Sequence, residues 1–227
     1  MLSGRTSGVT ATKASVPGLY VGTSGWSYPS WRPGFYPREV KPAGFLGYYA
    51  ERFRTVELNT TGYRIPGEEQ FARWAEQTPN GFRFAVKLDA HRRGQAAAFE
   101  EGIQRLGDRL GPIRVVVISA RDEGLLALVL GTFGPERRFA FDFRHESWDG
   151  IEAELPANAV RVGALEASAP FRYLRFREPP YGERELAALA EQIRPLVAGG
   201  IDVFAYFRHE EEPSAPRHAE RLLQLLS

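Results

Sequence analysis

The sequence predicts an α/β protein, a single TIM-type (β/α)8 barrel with one or two shortened βα units around residues 148–171. Three observations carry this. Eight short apolar runs read as strands: 19–23, 55–59, 82–88, 113–119, 139–143, 159–163, 171–176 and 202–207. Helix-like amphipathic segments separate most of them, among them 67–77, 95–110, 183–200 and 215–226. Polar side chains gather where the runs end, as "FAFDF" passes into "RHESW". An open doubly wound sheet is the alternative arrangement of the same elements.

Each element has a local reason. The run 139–143, "FAFDF", alternates bulky apolar residues with Ala140 and Asp142, as a strand with two unlike faces must. In 55–59 the same period puts Val56 and Leu58 on one face and Glu57 and Asn59 on the other; in 82–88 it separates Phe84, Val86 and Leu88 from Ala85 and Lys87. The bulky faces suit packing against helices, and the small and charged faces suit the interior. Segment 183–200 stops at Gly199-Gly200, as helices commonly do. The connections from Trp148 to Ala159 and from Gly163 to Phe171 are too short for full helices, hence the shortened units.

Composition sets bounds on function. A chain of 227 residues with 43% hydrophobic and 25% charged residues is ordinary for a globular protein. A formal charge of +1 gives no global attraction to nucleic acid or membrane, so any charged patch must be local. With no cysteine, disulfides, thiol catalysis and thiolate metal sites are excluded. Residues 1–17 are expected to be a flexible leader without the apolar centre of a signal peptide, and 18–227 the barrel domain. No apolar run is long enough to span a membrane, and a cytoplasmic setting is expected.

The strand ends supply the candidate chemistry. The first delivers "GTSGWSY", with Gly25, Trp26 and Tyr28; the second Glu57 and Asn59; the third Lys87 and, four residues on, His91. The fifth delivers Asp142, Arg144 and His145, the seventh Arg175 and Arg177, and the eighth Arg208 and His209. Active sites of such barrels are built where strands end. Convergence of Glu57, Lys87, Asp142 and Arg175 is therefore expected, either as catalytic groups or as a structural ion-pair network. Lys87 stands out among the 29 basic residues because only three are lysines. The histidines show neither HxH nor HExxH spacing, so no transition metal and no cofactor are expected. "GTSG" offers either an anion cradle or a plain turn. Trp26, Tyr28, Trp31 and Trp148 offer either stacking platforms for a ring or a packed core.

The order of motifs resembles the YecE-like family, domain of unknown function 72. "VGTSGWSYPSW", "YYAERFRTVELNTTGYRIP", "FRFAVKL", "RLGDRLGPI", "FAFDFRHESW", "YLRF" and "DVFAYF" carry the resemblance from residue 20 to the C-terminus. It implies a TIM-type barrel and no defined activity. The family's motif positions fall on Gly25, Trp26, Tyr28, Trp31, Glu57, Asn59, Tyr63, Lys87, His91, Arg144, His145, Trp148 and Arg175. The chain departs from the pattern in four places. It has "VISARDEG" where the family has a Gln-Leu-Pro-Pro-like run, and Asp142 in place of Glu. It has "RFRE" in place of "RLHG", and Arg208, His209 and Glu210 in place of an Asn pair followed by Asp.

The expected function is binding of an anionic ligand, a phosphorylated or nucleotide- or nucleic-acid-like molecule, with hydrolysis as an added expectation. Lys87, Arg144 and Arg175 hold the anion in this reading. Glu57 or Asp142 is the general base, and His91 or His145 its acid–base partner. His209, Asn59, Tyr63 and the aromatics complete the ligand contacts. The alternatives are a glycosidase using Glu57 and Asp142, and a non-catalytic binding protein.

Overall fold

A computed structural model describes residues 16–62, 65–91, 96–179 and 181–227. Tyr63 and residues 1–15 of the expected leader lie outside the described residues. The strands run β1 Leu19–Thr23, β2 Thr55–Leu58, β3 Arg83–Asp89, β4 Leu110–Val117, β5 Phe139–Phe143, β6 Ala159–Arg161, β7 Phe171–Phe176 and β8 Asp202–Phe207. The helices are α1 Phe45–Ala50, α2 Glu68–Glu76, α3 Ala96–Gln104, α4 Glu123–Phe133, α5 Glu183–Ala198 and α6 Ser214–Leu226.

Every strand pairing is parallel. The strands form two sheets, in the orders β1-β8-β7 and β2-β3-β4-β5-β6. The expected pairing of first and last strands is present, with Leu19 beside Val203 through Thr23 beside Phe207. The expected closed barrel is not seen as one continuous sheet among the described residues. At the β1–β2 edge the ladder shrinks to a single bridge, Ser24 with Glu57. There the Tyr49 hydroxyl sits between the strands, accepting from Thr23 N at 2.9 Å and donating to Thr55 O at 3.1 Å. At the β6–β7 edge, Gly163 N donates to Tyr173 O at 2.9 Å.

Two apolar layers form, as the strand period requires. Val56, Phe84, Val86, Ile113, Val115, Phe139 and Phe141 belong to the layer between sheets and helices. Tyr20, Ala85, Ala140, Val160, Phe171, Tyr173, Phe204 and Tyr206 form a second cluster that draws on both sheets and lies on their other face. Helices α1 and α4 have no amphipathic stripe in the sequence. Phe45, Leu46, Tyr49 and Ala50 of α1 are all buried, and α4 is apolar along most of its length, started by the Asp122 side chain accepting from Leu125 N. Between β5 and β6 stand only two single turns, Glu146–Trp148 and Ile151–Ala153, and β6 is joined to β7 without a helix. Among the described residues no helix is long and apolar enough to cross a membrane.

Candidate functional site

The inner face carries its charge at the C-terminal half of the strands, and register explains how. Arg114 on β4 lies beside Lys87 on one side and Ala140 on the other; Asp142 lies beside Val116, and Glu57 beside Ala85. Side-by-side residues of parallel strands share a face, so β2, β4 and β5 turn Glu57, Arg114 and Asp142 to the same interior.

Arg114 is the centre of the network. Its Nη1 donates to Asp142 Oδ2 at 2.7 Å and its Nη2 to Asn59 Oδ1 at 2.9 Å. Its Nε lies 2.8 Å from Glu57 Oε1 as an ion pair, without the alignment of a hydrogen bond. Glu57 also accepts from the Tyr173 hydroxyl at 2.7 Å and from Arg175 Nε at 3.0 Å. Asp142 Oδ2 takes two further guanidinium groups, Arg177 at 2.7 Å and Arg144 at 3.0 Å. Four arginines thus converge on two carboxylates. They form a gradient toward solvent, with side chains 3% exposed at Arg114, 11% at Arg175, 29% at Arg177 and 43% at Arg144.

The electrostatics follow from this crowding. Burial of Glu57 raises its carboxyl pKa, but the Arg114 and Arg175 charges and the Tyr173 and Arg175 hydrogen bonds outweigh burial and hold it below its ordinary value. Burial lowers the pKa of Arg177, and the neighbouring Arg175, Arg144 and Arg114 charges lower it further against the pull of Asp142. Its Nε is buried and has no hydrogen-bond partner among the described residues. His209 is pushed down by burial and by Arg208 and Arg175, which favours the neutral ring. The residue as a whole is exposed, but one face of its ring is covered by Tyr28, with ring centroids 4.5 Å apart. Burial raises Tyr28 to about 12, helped by Glu57 and opposed by Arg175.

The expected site residues therefore divide. Glu57, Asn59, Asp142, Arg144 and Arg175 share one network, with Tyr28 and His209 beside it. Lys87 stands next to Arg114 in register, and its backbone pairs with the Thr61 hydroxyl. His91 is exposed, and its Nε2 lies 3.4 Å from the Ile118 amide. His145 is exposed and caps its own turn: its Nδ1 meets the Ser147 hydroxyl at 2.9 Å and accepts from the Ser147 amide at 3.2 Å. Among the described residues no hydrogen bond joins either histidine to Glu57 or Asp142.

The structure bears on three of these expectations. Trp31 and Trp148 are fully buried, and their indole N–H groups are spent on the carbonyls of Glu210 and Ser119. They are core residues with no face for a ligand. Trp26 is partly buried and packs edge-on against Trp74 at 5.4 Å. In "GTSG" two of the amides are already taken, Thr23 N by the Tyr49 hydroxyl and Ser24 N by the Phe207 carbonyl. Gly25 there is a turn residue at φ +92°, a conformation only glycine adopts without strain. The general-base role expected of Glu57 or Asp142 meets carboxylates already committed to guanidinium groups.

Arg114 went unseen at the strand ends because it stands four residues into β4. Its signal is a lone cation inside the run "IRVVVIS". Arg177 is at a strand end but was not among the expected ligand residues. Among the described residues no group of three or more His, Asp or Glu side chains could hold a metal ion. A groove of about 980 Å³ lies elsewhere, lined by Thr60, Pro66 and the Glu68–Trp74 part of α2, and no residue of the arginine network lines it.

The fold and site define a parallel α/β protein whose strand ends carry a surplus of arginine over acid. Comparison with known proteins places it further. The family described as "Protein of unknown function DUF72" matches residues 20–227, and the chain belongs to that family. It is 41% identical over 80 residues to the UPF0759 protein YecE of Escherichia coli K12, covering 35% of this chain and 26% of that protein. It is 25% identical over 173 residues to the UPF0759 protein YunF of Bacillus subtilis 168, covering 74% of this chain and 56% of YunF. The chain thus spans less than two thirds of the length of these relatives. Two crystal structures of a DUF72 family protein from Enterococcus faecalis V583 share its fold, with TM-scores of 0.72 and 0.75 at 18% identity. They cover 92% of this chain and 97% and 95% of their own.

Proposed function

We propose that the two sheets form one interrupted TIM-type barrel that binds an anionic ligand, phosphorylated or nucleotide-like, at its C-terminal strand ends. One observation carries this reading: four arginines converge on two carboxylates and step outward from a buried Arg114 to an exposed Arg144. The buried charges balance, Arg114 and Arg175 against Glu57 and Asp142, as the cost of unpaired buried charge requires. The surplus lies in the more exposed Arg177 and Arg144, within reach of a ligand, and Arg177 Nε is buried with no partner among the described residues. In a crevice such fixed cations attract anions far more strongly than a chain charge of +1 suggests.

The same bonds favour binding over hydrolysis. A glycosidase needs one carboxyl with a raised pKa to act as acid. Glu57 is held low, and Asp142 accepts from three guanidinium groups. Lys87, which neighbours Arg114, joins the binding set in this reading. Calorimetric titration of wild type, Lys87→Met and Arg144→Met against nucleotides, sugar phosphates and neutral oligosaccharides tests it. Phosphorylated compounds bind the wild type, and each substitution weakens them by about 1.5–3 kcal/mol, the loss of a charged hydrogen bond. Binding of the neutral sugars with failure of every phosphorylated compound would reverse the reading in favour of the glycosidase.

A further inference from the structure

The ligand's charge can be taken further than its sign. In the ion-paired network, Arg114, Arg144, Arg175 and Arg177 face Glu57 and Asp142. Four cations and two anions leave a surplus of at least two positive charges, before Lys87 is counted. The three arginines nearest solvent each commit one guanidinium nitrogen to a network carboxylate: Arg144 Nη2 and Arg177 Nη2 to Asp142, and Arg175 Nε to Glu57. A guanidinium carries five N–H donors on three nitrogens, so each fork has donors beyond that bond. Arg177 Nε in particular is a buried donor with no partner among the described residues. Buried donors left unpaired are uncommon and call for an acceptor.

We infer that this site is built for a dianionic terminal phosphoryl group, a phosphomonoester, and not for the internal phosphodiesters of a nucleic-acid strand. The inference rests on the anion-binding reading above and narrows it. Two arguments support it. A phosphomonoester above its second ionisation near pH 6 carries up to two negative charges and offsets more of the surplus than a diester, which carries one. A terminal phosphoryl group also has three unesterified oxygens, one for each of Arg144, Arg175 and Arg177. A diester has two, so two of the three forks must share an oxygen.

The test compares phenyl phosphate with methyl phenyl phosphate at pH 8 by calorimetry, with inorganic phosphate alongside. The two aryl probes differ by one methyl group and one charge. The wild type binds phenyl phosphate at least about tenfold more tightly than its methyl ester, since one charged hydrogen bond separates them. Arg177→Gln removes one of the surplus charges and narrows the preference to about threefold, and Arg144→Gln, at the more exposed position, does the same. Thermal denaturation of both variants confirms that they are folded. Equal affinity for the two aryl probes, or tighter binding of the diester, overturns the inference and leaves anion binding standing. No measurable binding of any phosphorylated probe overturns both.

Discussion

Arg114 ties together residues that are 57 and 28 positions away in sequence, and it does so from 3% exposure. The cost of burying a guanidinium is met only because two carboxylates and Asn59 surround it. Glu57 depends on the same bonds, which makes its ionisation a stability term with a definite sign. Its folded pKa lies below the ordinary value of 4.5. Its contribution is therefore fully present above about pH 4.5 and is lost as pH falls toward the folded value. Replacing Glu57 by Gln removes the charge while keeping the shape. Urea denaturation at pH 7 should show the variant less stable by about 3–5 kcal/mol, the usual cost of breaking a buried ion pair. The difference should shrink as pH drops below 4.5, because the carboxyl of the unfolded wild type then takes up a proton that the folded one, held at a lower pKa, does not. A gap that stays constant down to pH 3 would mean that the ion pairs do not stabilise the fold. None of this pairing is written in local sequence. Glu57, Asn59, Asp142 and Arg175 are legible at strand ends, but Arg114 lies mid-strand, and only the parallel register brings it beside them.

Elements were legible in proportion to how locally they are determined. Strands β1, β5, β7 and β8 begin and end where the apolar runs do. Strand β4 starts three residues earlier than its apolar run, at Leu110, directly after a turn with Gly107 at positive φ. Helices α1 and α4 carry no polar stripe, so periodicity could not separate them from strand or core. The β6–β7 connection is an element of another kind, organised by one side chain. Arg172, 6% exposed, donates to the carbonyls of Leu165, Ala167, Ala169 and Phe171 at 2.6–3.0 Å. Its pKa is lowered by burial, and the more distant Glu166 only partly offsets this. Backbone carbonyls, not a carboxylate, hold the charge. Arg172→Met should leave those carbonyls without their donor and cost about 2–4 kcal/mol, since each unmade bond to a charged group costs about 1.5–3 kcal/mol and water recovers part of it. Hydrogen exchange of residues 164–171 should rise in the variant while β4 stays protected. Unchanged exchange in that segment would mean that the loop is held by something other than Arg172.

At the scale of the whole molecule the question is whether two sheets behave as one body. Eight parallel strands in sequence order are what the chain's alternation of runs implies, and the Enterococcus structures share the fold. The interrupted ladders were not legible, because they depend on close approaches that no run announces. Gly22 is the clearest case. A Cβ added there would overlap the Thr55 carbonyl oxygen and come within 2.8 Å of the Tyr49 hydroxyl, the group that bridges β1 and β2. The shared inner cluster joins the sheets as well: Ala85 and Ala140 from one pack with Tyr20, Tyr173 and Phe204 from the other. Breaking the body in two would expose those rings, so separate unfolding should be costly. Wild type should therefore unfold in one transition, with far-UV circular dichroism and tryptophan fluorescence coincident. Native-state hydrogen exchange should report opening free energies for β4 and β8 that agree within about 1 kcal/mol. Gly22→Ala acts at the seam itself. Relief of its clash must push β1 from β2 or displace Tyr49, and overpacking of this kind costs about 1–3 kcal/mol. In that variant the β1-β8-β7 sheet should lose protection before the five-stranded sheet does. If wild-type β4 and β8 already open independently, the strands are two bodies in contact, and the single barrel proposed for this chain is wrong.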